Sequence, residues 1–186
     1  MQALIVVDAQ NEFSPQGCRP VPNHVQALEA IHRRVDEARR EGRPIAWVRH
    51  HNPPGAATAF VPGSWGAEYL PSLGPLPARE VEAEFVKEVY GAFTGTSIGS
   101  WLEARGSEEV LIVGFFVHMC VSTTAREALM RGLHVAVDPV GTGGITIQHE
   151  LLGVQSAEEV HRTALLHLSH LGVRIAASKS APHGYE

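Results

Sequence analysis

The sequence predicts a single α/β domain over residues 1–186, built on a doubly wound, mostly parallel sheet of six strands with helices on both faces. Short apolar strands alternate with helical segments along the chain, which favours parallel pairing through crossover helices. The first strand is apolar throughout, as expected where helices cover both faces of a sheet. The 186 residues, 44% of them hydrophobic, suit one domain with its own core.

The first half of the chain supplies the first three strands and one long helix. Residues 3–8 predict the first strand, 44–49 the second and 84–89 the third. Between the first two, a helix is expected from Asn23 as N-cap to Gly42 as the stop. The apolar stripe of this helix consists of Val25, Leu28, Ile31, Val35 and Ala38.

Residues 50–84 are rich in Pro and Gly and show no sustained period. A loop of this length is unusual inside a compact domain and is more often a functional lid or a substrate wall. We therefore expect this segment beside the active site.

The second half begins with a short helix, which Thr96 or Ser97 caps and Gly106 closes. Residues 110–114 form the next buried strand. Cys120 follows it and stands just before a helix over residues 121–131. A helix N-terminus lowers the pKa of a cysteine, because its unpaired backbone N–H groups favour the thiolate.

The last third predicts two more strands around one helix. Residues 134–138 give a strand, and Ser156 with Glu159 matches a capping box for a helix running to about residue 171. Residues 173–176 supply the sixth strand, and the polar tail over 178–186 is expected to fray.

Three chemically capable side chains each end or follow a predicted strand: Asp8, Lys87 and Cys120. In an open parallel sheet, ligands bind beyond the carboxyl ends of the strands, so one edge can gather all three. Each also has a structural reading when taken alone. Asp8 can cap a turn, Lys87 can be a solvated charge and Cys120 can be a small buried hydrophobe.

Three ordered segments bring a family resemblance. Residues 4–13, Leu-Ile-Val-Val-Asp-Ala-Gln-Asn-Glu-Phe, carry an Asp-x-Gln-x-x-Phe pattern. Lys87 is followed by Ala-Phe-Thr-Gly-Thr at 92–96, and residues 114–121 read Gly-Phe-Phe-Val-His-Met-Cys-Val, continued by Thr124 and Ala128. Together they resemble the isochorismatase-like hydrolases, which include nicotinamidases. The resemblance covers nearly the whole chain and implies a Rossmann-like three-layer sandwich.

The resemblance implies a cysteine-dependent hydrolase that cleaves a C–N bond of a small amide, carbamoyl or lactam substrate. Cys120 is then the nucleophile, Asp8 the general acid/base and Lys87 the adjacent cation. A thioester acyl-enzyme forms, and water activated by Asp8 releases the acid. A homodimer or homotetramer is also expected from the resemblance.

The same resemblance implies an oxyanion hole made by the backbone N–H groups of Phe116 and Cys120. Many relatives have a cis peptide at the position of the 115–116 bond, so a cis bond is expected here. Aromatic and imidazole side chains near these segments are candidates to bind substrate, although such groups are usually packing. They are Phe13, Trp65, Phe115 and His118.

No metal or other cofactor is expected. His50 and His51 lie where metal-dependent nicotinamidases place an Asp-x-His pair, but Arg49 breaks that pattern. A metal-dependent nicotinamidase and a non-catalytic or redox-sensing protein of the same fold remain alternatives. Isochorismate cleavage is disfavoured, because true isochorismatases of the family carry Gly where Cys120 stands.

Composition excludes several other classes. The formal net charge of −5 comes without a basic stripe, which disfavours a nucleic-acid partner. The N-terminal apolar run stops at Asp8, too short for a signal or membrane-spanning segment, so a cytoplasmic location is the default expectation. Cys18 and Cys120 form no CxxC pair, so neither a disulfide framework nor a cysteine-ligated zinc site is expected.

Overall fold

The computed structural model describes residues 1–176 except 54, 56 and 78. The predicted frayed tail over residues 178–186 lies outside the described residues. The described chain forms four helices and eight strands. The helices are α1 His24–Arg40, α2 Ile98–Glu103, α3 Ser122–Met130 and α4 Ala157–His170. The strands are β1 Gln2–Val7, β2 Ile45–His50, β3 Glu82–Lys87, β4 Glu109–Phe115, β5 His134–Gly143, β6 Ile147–His149, β7 Gly153–Gln155 and β8 Arg174–Ile175.

Six of these strands form one parallel sheet in the order β3-β2-β1-β4-β5-β8. The prediction of a doubly wound, mostly parallel sheet is therefore confirmed. The chain builds outward from β1 through β2 to β3, then returns to pair β4 with the other side of β1. This reversal makes the carboxyl ends of β1 and β4 the switch point, where such folds bind ligands.

The core has two layers because neighbouring residues of a strand point to opposite faces. Leu4 and Val6 of β1 pack in the cluster that contains the apolar side of α1. Ile5 and Val7 pack in the other cluster, with side chains from α2, α3 and α4. The sheet is thus covered on both faces, which accounts for the absence of polar residues from β1 between positions 3 and 7.

The predicted start of α1 needs two corrections. Asn23 occupies the N-cap position, but its side chain does not cap the helix and instead donates to the Thr142 carbonyl at 3.0 Å. Val25 was expected on the buried stripe but is 65% exposed. Ala27 and Ala30 are buried in its place, which allows α1 to lie close to the sheet.

The second half of the chain follows the prediction in part. β5 extends beyond the predicted residues 134–138, through an irregular register, to Gly143. The antiparallel hairpin of β6 and β7 was not predicted. The capping box of Ser156 and Glu159 is present at the start of α4, as predicted. Ser97 is the N-cap residue of α2 without a side-chain cap, whereas the Thr96 hydroxyl accepts from the Ile98 amide at 3.3 Å.

Gly114 permits the close approach of β4 to β1 beside the site. A Cβ at this position would lie 1.8 Å from the Val7 carbonyl oxygen, and the residue has φ +118°. We expect Gly114→Ala to lower the free energy of unfolding by more than about 3 kcal/mol, because the strands must separate to admit the methyl group. Urea unfolding measures this loss.

Gly132→Ala is the matched control, since Gly132 also has positive φ (+79°) but nothing within 4 Å of the added Cβ. Its cost should be limited to the left-handed backbone, about 1–2 kcal/mol. Equal losses in the two variants would show that the approach at Gly114 is not tight.

Both cysteines lie within the described residues and are free, Cys18 exposed and Cys120 buried, in agreement with the prediction of no disulfide. Among the described residues, no helix is both long enough and apolar enough to cross a membrane. A single chain does not test the expected homodimer or homotetramer, which stays a prediction.

Candidate active site

The three side chains singled out by sequence meet at the carboxyl edge of the sheet. Asp8 directly follows the central strand β1 and has φ +51°, a left-handed conformation. Its Oδ2 accepts a hydrogen bond of 2.8 Å from the Lys87 ammonium, and both side chains are buried. The charges of both groups act on the thiol of Cys120, which lies beyond the end of β4. The predicted convergence is therefore found.

Lys87 reaches this point from the edge strand β3. It is the last residue of that strand and is 2% exposed, so the reading of it as a solvated charge is wrong. Burial lowers the pKa of the Lys87 ammonium, but the charges of Asp8 and Cys120 raise it by more, and the net pKa lies above its ordinary value. Lys87 is therefore a permanent cation within the site.

Cys120 lies in a π-helical turn, Val117–Val121, that leads into α3. Cys120 stands just before α3, as expected, but the expectation that the helix N-terminus lowers its pKa is wrong. Burial and the charge of Asp8 raise the pKa of the Cys120 thiol, while Lys87 lowers it, and the net pKa is well above its ordinary value. The resting residue is a thiol, so a base must take its proton when it reacts.

Asp8 has one carboxylate oxygen available for that proton. Oδ2 is held by Lys87, whereas the buried Oδ1 has no hydrogen-bond partner among the described residues. A buried acceptor without a partner is costly and is a common feature of functional sites. Oδ1 is thus a candidate acceptor for the thiol proton of Cys120.

The lysine segment is held against the nucleophile segment by side chains of α3. The hydroxyl of Thr124 accepts from the Ala92 amide at 3.1 Å, and the carboxylate of Glu127 accepts from the Phe93 amide at 2.9 Å. A Cβ at Gly91 would lie 2.3 Å from that carboxylate, so a larger residue there would displace Glu127 from the Phe93 amide. These contacts tie the two ordered motifs of the sequence into one structure.

The region over residues 50–84 packs on the loop that follows Asp8, as expected for a wall of the site. Gln10 donates through Nε2 to the carbonyls of His50 at 3.0 Å and Ala67 at 2.8 Å. Asn11 donates to the Trp65 carbonyl at 2.9 Å. The backbone of this wall is therefore fixed by polar side chains of the Asp-x-Gln segment.

Phe13 is the centre of an aromatic cluster next to the site. Its ring centroid lies 5.2 Å from that of Phe60, 5.2 Å from that of Phe115 and 4.8 Å from that of Phe116. Phe115 has no exposed surface, and packing accounts for its contacts. The part of Phe13 and Phe115 in substrate binding stays a prediction.

The other two candidate pocket residues are more accessible. The Trp65 side chain is 56% exposed. His118 stacks on Phe116 at 5.3 Å, and burial lowers the pKa of its imidazole, which favours the neutral form. Their contact with a substrate stays a prediction.

The peptide bond between Phe115 and Phe116 is cis, as the family resemblance led us to expect. The Phe116 carbonyl accepts from the amides of Met119 and Val121 at 3.1 and 3.2 Å, on either side of Cys120. The use of the Phe116 and Cys120 amides as an oxyanion hole stays a prediction.

Comparison with known proteins identifies the family. The isochorismatase domain model matches residues 2–180. The chain belongs to the isochorismatase family. Nicotinamidase/pyrazinamidase of Mycobacterium tuberculosis is 32% identical over 90% of this chain and 98% of its own length. A secreted isochorismatase effector of Verticillium dahliae is 31% identical over 95% of this chain and 87% of its own.

Solved structures agree with this placement. The crystal structure of an isochorismatase from Pseudomonas putida has a TM-score of 0.86 and 28% identity, and the match covers 94% of this chain and 87% of that one. Members of this family, such as nicotinamidase, are hydrolases. The predicted family and fold are thus confirmed.

The Asp-x-His donor pattern of metal-dependent family members is not matched at His50 and His51. Arg49 pairs with Glu84 at 2.7 Å instead of supplying a carboxylate. Within residues 1–176, apart from the three undescribed positions, no group of three or more His, Cys, Asp or Glu side chains is placed to hold a metal ion. The described residues of the site therefore do not fit a metal ion.

Sequence reasoning missed two residues of this site. His50 was considered only as a metal ligand, yet its Nδ1 lies 3.2 Å from the Lys87 Nζ. Gln10 belongs to the Asp-x-Gln motif, which assigns it no role, yet its side chain binds both the amide and the carbonyl of His50. The Asp-x-Gln pattern was the only signal for Gln10, and the signal for His50 was its place at the end of a strand.

Proposed function

We propose that the protein hydrolyses a C–N bond of a small amide, carbamoyl or lactam substrate, with Cys120 as nucleophile and a thioester as intermediate. The main observation in support of this proposal is that the two oxygens of the Asp8 carboxylate have different surroundings. One of its oxygens binds the Lys87 ammonium, and the other is buried and unpartnered within the described residues, beside a protonated thiol.

The first half of the reaction forms the thioester. Asp8 Oδ1 takes the proton of the Cys120 thiol as the sulfur attacks the substrate carbonyl carbon, which gives a tetrahedral oxyanion. The amides of Phe116 and Cys120 stabilise that oxyanion. The intermediate then collapses: Asp8 gives its proton to the leaving nitrogen, the C–N bond breaks and the amine departs, or a lactam ring opens.

The second half releases the acid. A water molecule takes the place of the amine, gives a proton to Asp8 and attacks the thioester carbonyl. The C–S bond breaks, the sulfur recovers its proton from Asp8, and the carboxylic acid leaves. Each proton that Asp8 accepts is returned, so the triad ends in its starting state.

Lys87 acts by charge rather than by proton transfer. Its raised pKa keeps it protonated throughout, and its contact with Oδ2 leaves Oδ1 as the oxygen that exchanges protons. The ammonium also stabilises the thiolate that develops on Cys120 during attack, since it lowers the pKa of that thiol against the effect of burial.

Turnover of a panel of amides tests the proposal. Nicotinamide, a ureido compound and a lactam are the probes, because the relative from M. tuberculosis is named a nicotinamidase/pyrazinamidase and the resemblance covers the other classes. We expect release of ammonia or amine from at least one probe. A chelator should leave the rate within about twofold, because the described residues offer no metal-binding group.

Two results would favour an alternative function over cysteine-dependent amide hydrolysis. Loss of activity with the chelator, restored by zinc, would favour the metal-dependent nicotinamidase. Absence of turnover with all three classes, together with reversible oxidation of Cys120 by peroxide, would favour the redox-sensing alternative.

A further inference from the structure

His50 contacts the triad from a strand that supplies none of its members. It is the last residue of β2 and the register partner of Lys87 on β3. Side chains at paired positions of neighbouring strands point to the same face, so the imidazole lies beside the lysine stem. Nδ1 of His50 is 3.2 Å from the Lys87 Nζ, and Nε2 is 3.0 Å from the Asn52 Oδ1.

The contacts of Asn52 define which ring nitrogen carries the proton. Its Nδ2 donates to the Ala59 carbonyl at 2.8 Å, so its Oδ1 is the atom that faces His50. An amide oxygen only accepts, so the proton of the imidazole is on Nε2. Nδ1 then presents a lone pair to the Lys87 ammonium.

We propose that His50 is a positioning residue that fixes the direction of the Lys87 ammonium within the triad. This inference rests on the proposed function of Asp8 and Cys120. An ammonium has three N–H donors at fixed angles. One binds Asp8 Oδ2 at 2.8 Å and a second binds His50 Nδ1, so the third is fixed in direction and is available to Cys120.

The position of His50 is itself fixed by the backbone. Its amide donates to the Gln10 Oε1 at 2.8 Å, and its carbonyl accepts from the Gln10 Nε2 at 3.0 Å. Its ring also meets the Phe60 ring edge-on, with centroids 5.4 Å apart. A chain of polar contacts thus runs from Asn52 through His50 and Lys87 to Asp8, and each member orients the next.

The test compares two substitutions of His50 in a Cys18→Ser background, so that Cys120 is the only thiol. His50→Phe keeps the ring and its contact with Phe60 but removes the acceptor. His50→Asn places a side-chain oxygen where Nδ1 lies. The first measurement is the rate of Cys120 alkylation by iodoacetamide at about pH 7.5. The second gives kcat and KM on an amide that the parent protein hydrolyses.

We expect His50→Phe to slow alkylation about tenfold and to lower kcat by about 10–100-fold, with KM changed less than about threefold, because a misdirected ammonium affects the reacting sulfur more than substrate binding. His50→Asn should stay within about threefold of the parent in both measurements. A merely structural role would not produce rescue by the smaller asparagine.

Unchanged alkylation and kcat in His50→Phe would overturn the proposal, as would a His50→Asn variant as slow as His50→Phe. If His50→Phe does not fold, His50→Leu serves in its place with the same expected losses. Alkylation needs no substrate, so it still decides the role of His50 if the protein hydrolyses none of the amides and the proposed function fails.

Discussion

Cys120→Ser is expected to lower kcat for amide hydrolysis by at least about 10⁴-fold. A serine hydroxyl has a much higher pKa than a thiol, and Asp8 together with Lys87 is arranged to move the proton of the weaker S–H bond. The change is small in volume, so the protein should remain folded. Steady-state ammonia release, with urea unfolding as the check on folding, measures the effect.

Cys18→Ser is the matched control. Cys18 is exposed and has no part in the proposed triad, and Glu12 raises the pKa of its thiol through a hydrogen bond and charge repulsion. This variant should keep the parent kcat. Residual activity above about a tenth of the parent in Cys120→Ser would show that another group performs the attack.

Removing both charges of the Asp8–Lys87 ion pair is expected to restore part of the stability that each single change costs, without restoring activity. Lys87→Met should lower the free energy of unfolding by about 3–5 kcal/mol, because it leaves the Asp8 carboxylate buried without a cation. Asp8→Asn should also be destabilising, because it leaves the Lys87 ammonium buried without its carboxylate partner. The double variant removes both charges, so it should be destabilised by less than the sum of the single changes.

Catalytic activity should not recover in the double variant. All three variants are expected to lose at least about 10³-fold in kcat, because the double variant has neither the base nor the cation. The exposed pair of Glu109 and Arg174 provides the control, and Glu109→Gln should cost less than about 1 kcal/mol. Additive losses in the double variant would show that Asp8 and Lys87 do not act as a pair.

The doubly wound parallel sheet and the three principal site residues were predictable because they depend on patterns that local sequence carries. A fully apolar β1 indicates a strand covered on both faces, and strand ends in a parallel sheet meet at one edge. The positions of Asp8, Lys87 and Cys120 follow from those two facts and from the ordered motifs.

The contacts of His50 depend on a register that local sequence does not carry. The predicted strands over residues 44–49 and 84–89 each differ by one or two residues from β2 and β3. That error is enough to pair His50 with the wrong neighbour, since each one-residue shift moves a side chain to the other face. For this reason the sequence did not reveal His50 as the second acceptor, besides Asp8, of a hydrogen bond from the Lys87 ammonium.

The electrostatics of Cys120 and the packing of α1 also depend on tertiary structure. The π-helical turn over Val117–Val121 holds Cys120 ahead of α3 and was not predicted, and burial raises the pKa of the thiol that a helix N-terminus was expected to lower. In α1, Ala27 is buried and Val25 exposed, although hydrophobicity alone ranks valine higher. Val25 lies about 200° around the helix from Ala27, so it faces away from the sheet.

Mass spectrometry of the protein quenched with acid during turnover tests whether Cys120 carries the acyl group. We expect a mass increase equal to the acyl group of the substrate, located on the peptide that contains Cys120 and absent from the Cys120→Ser variant. An acyl group on any other residue, or turnover at the parent rate by the variant without Cys120, would contradict it.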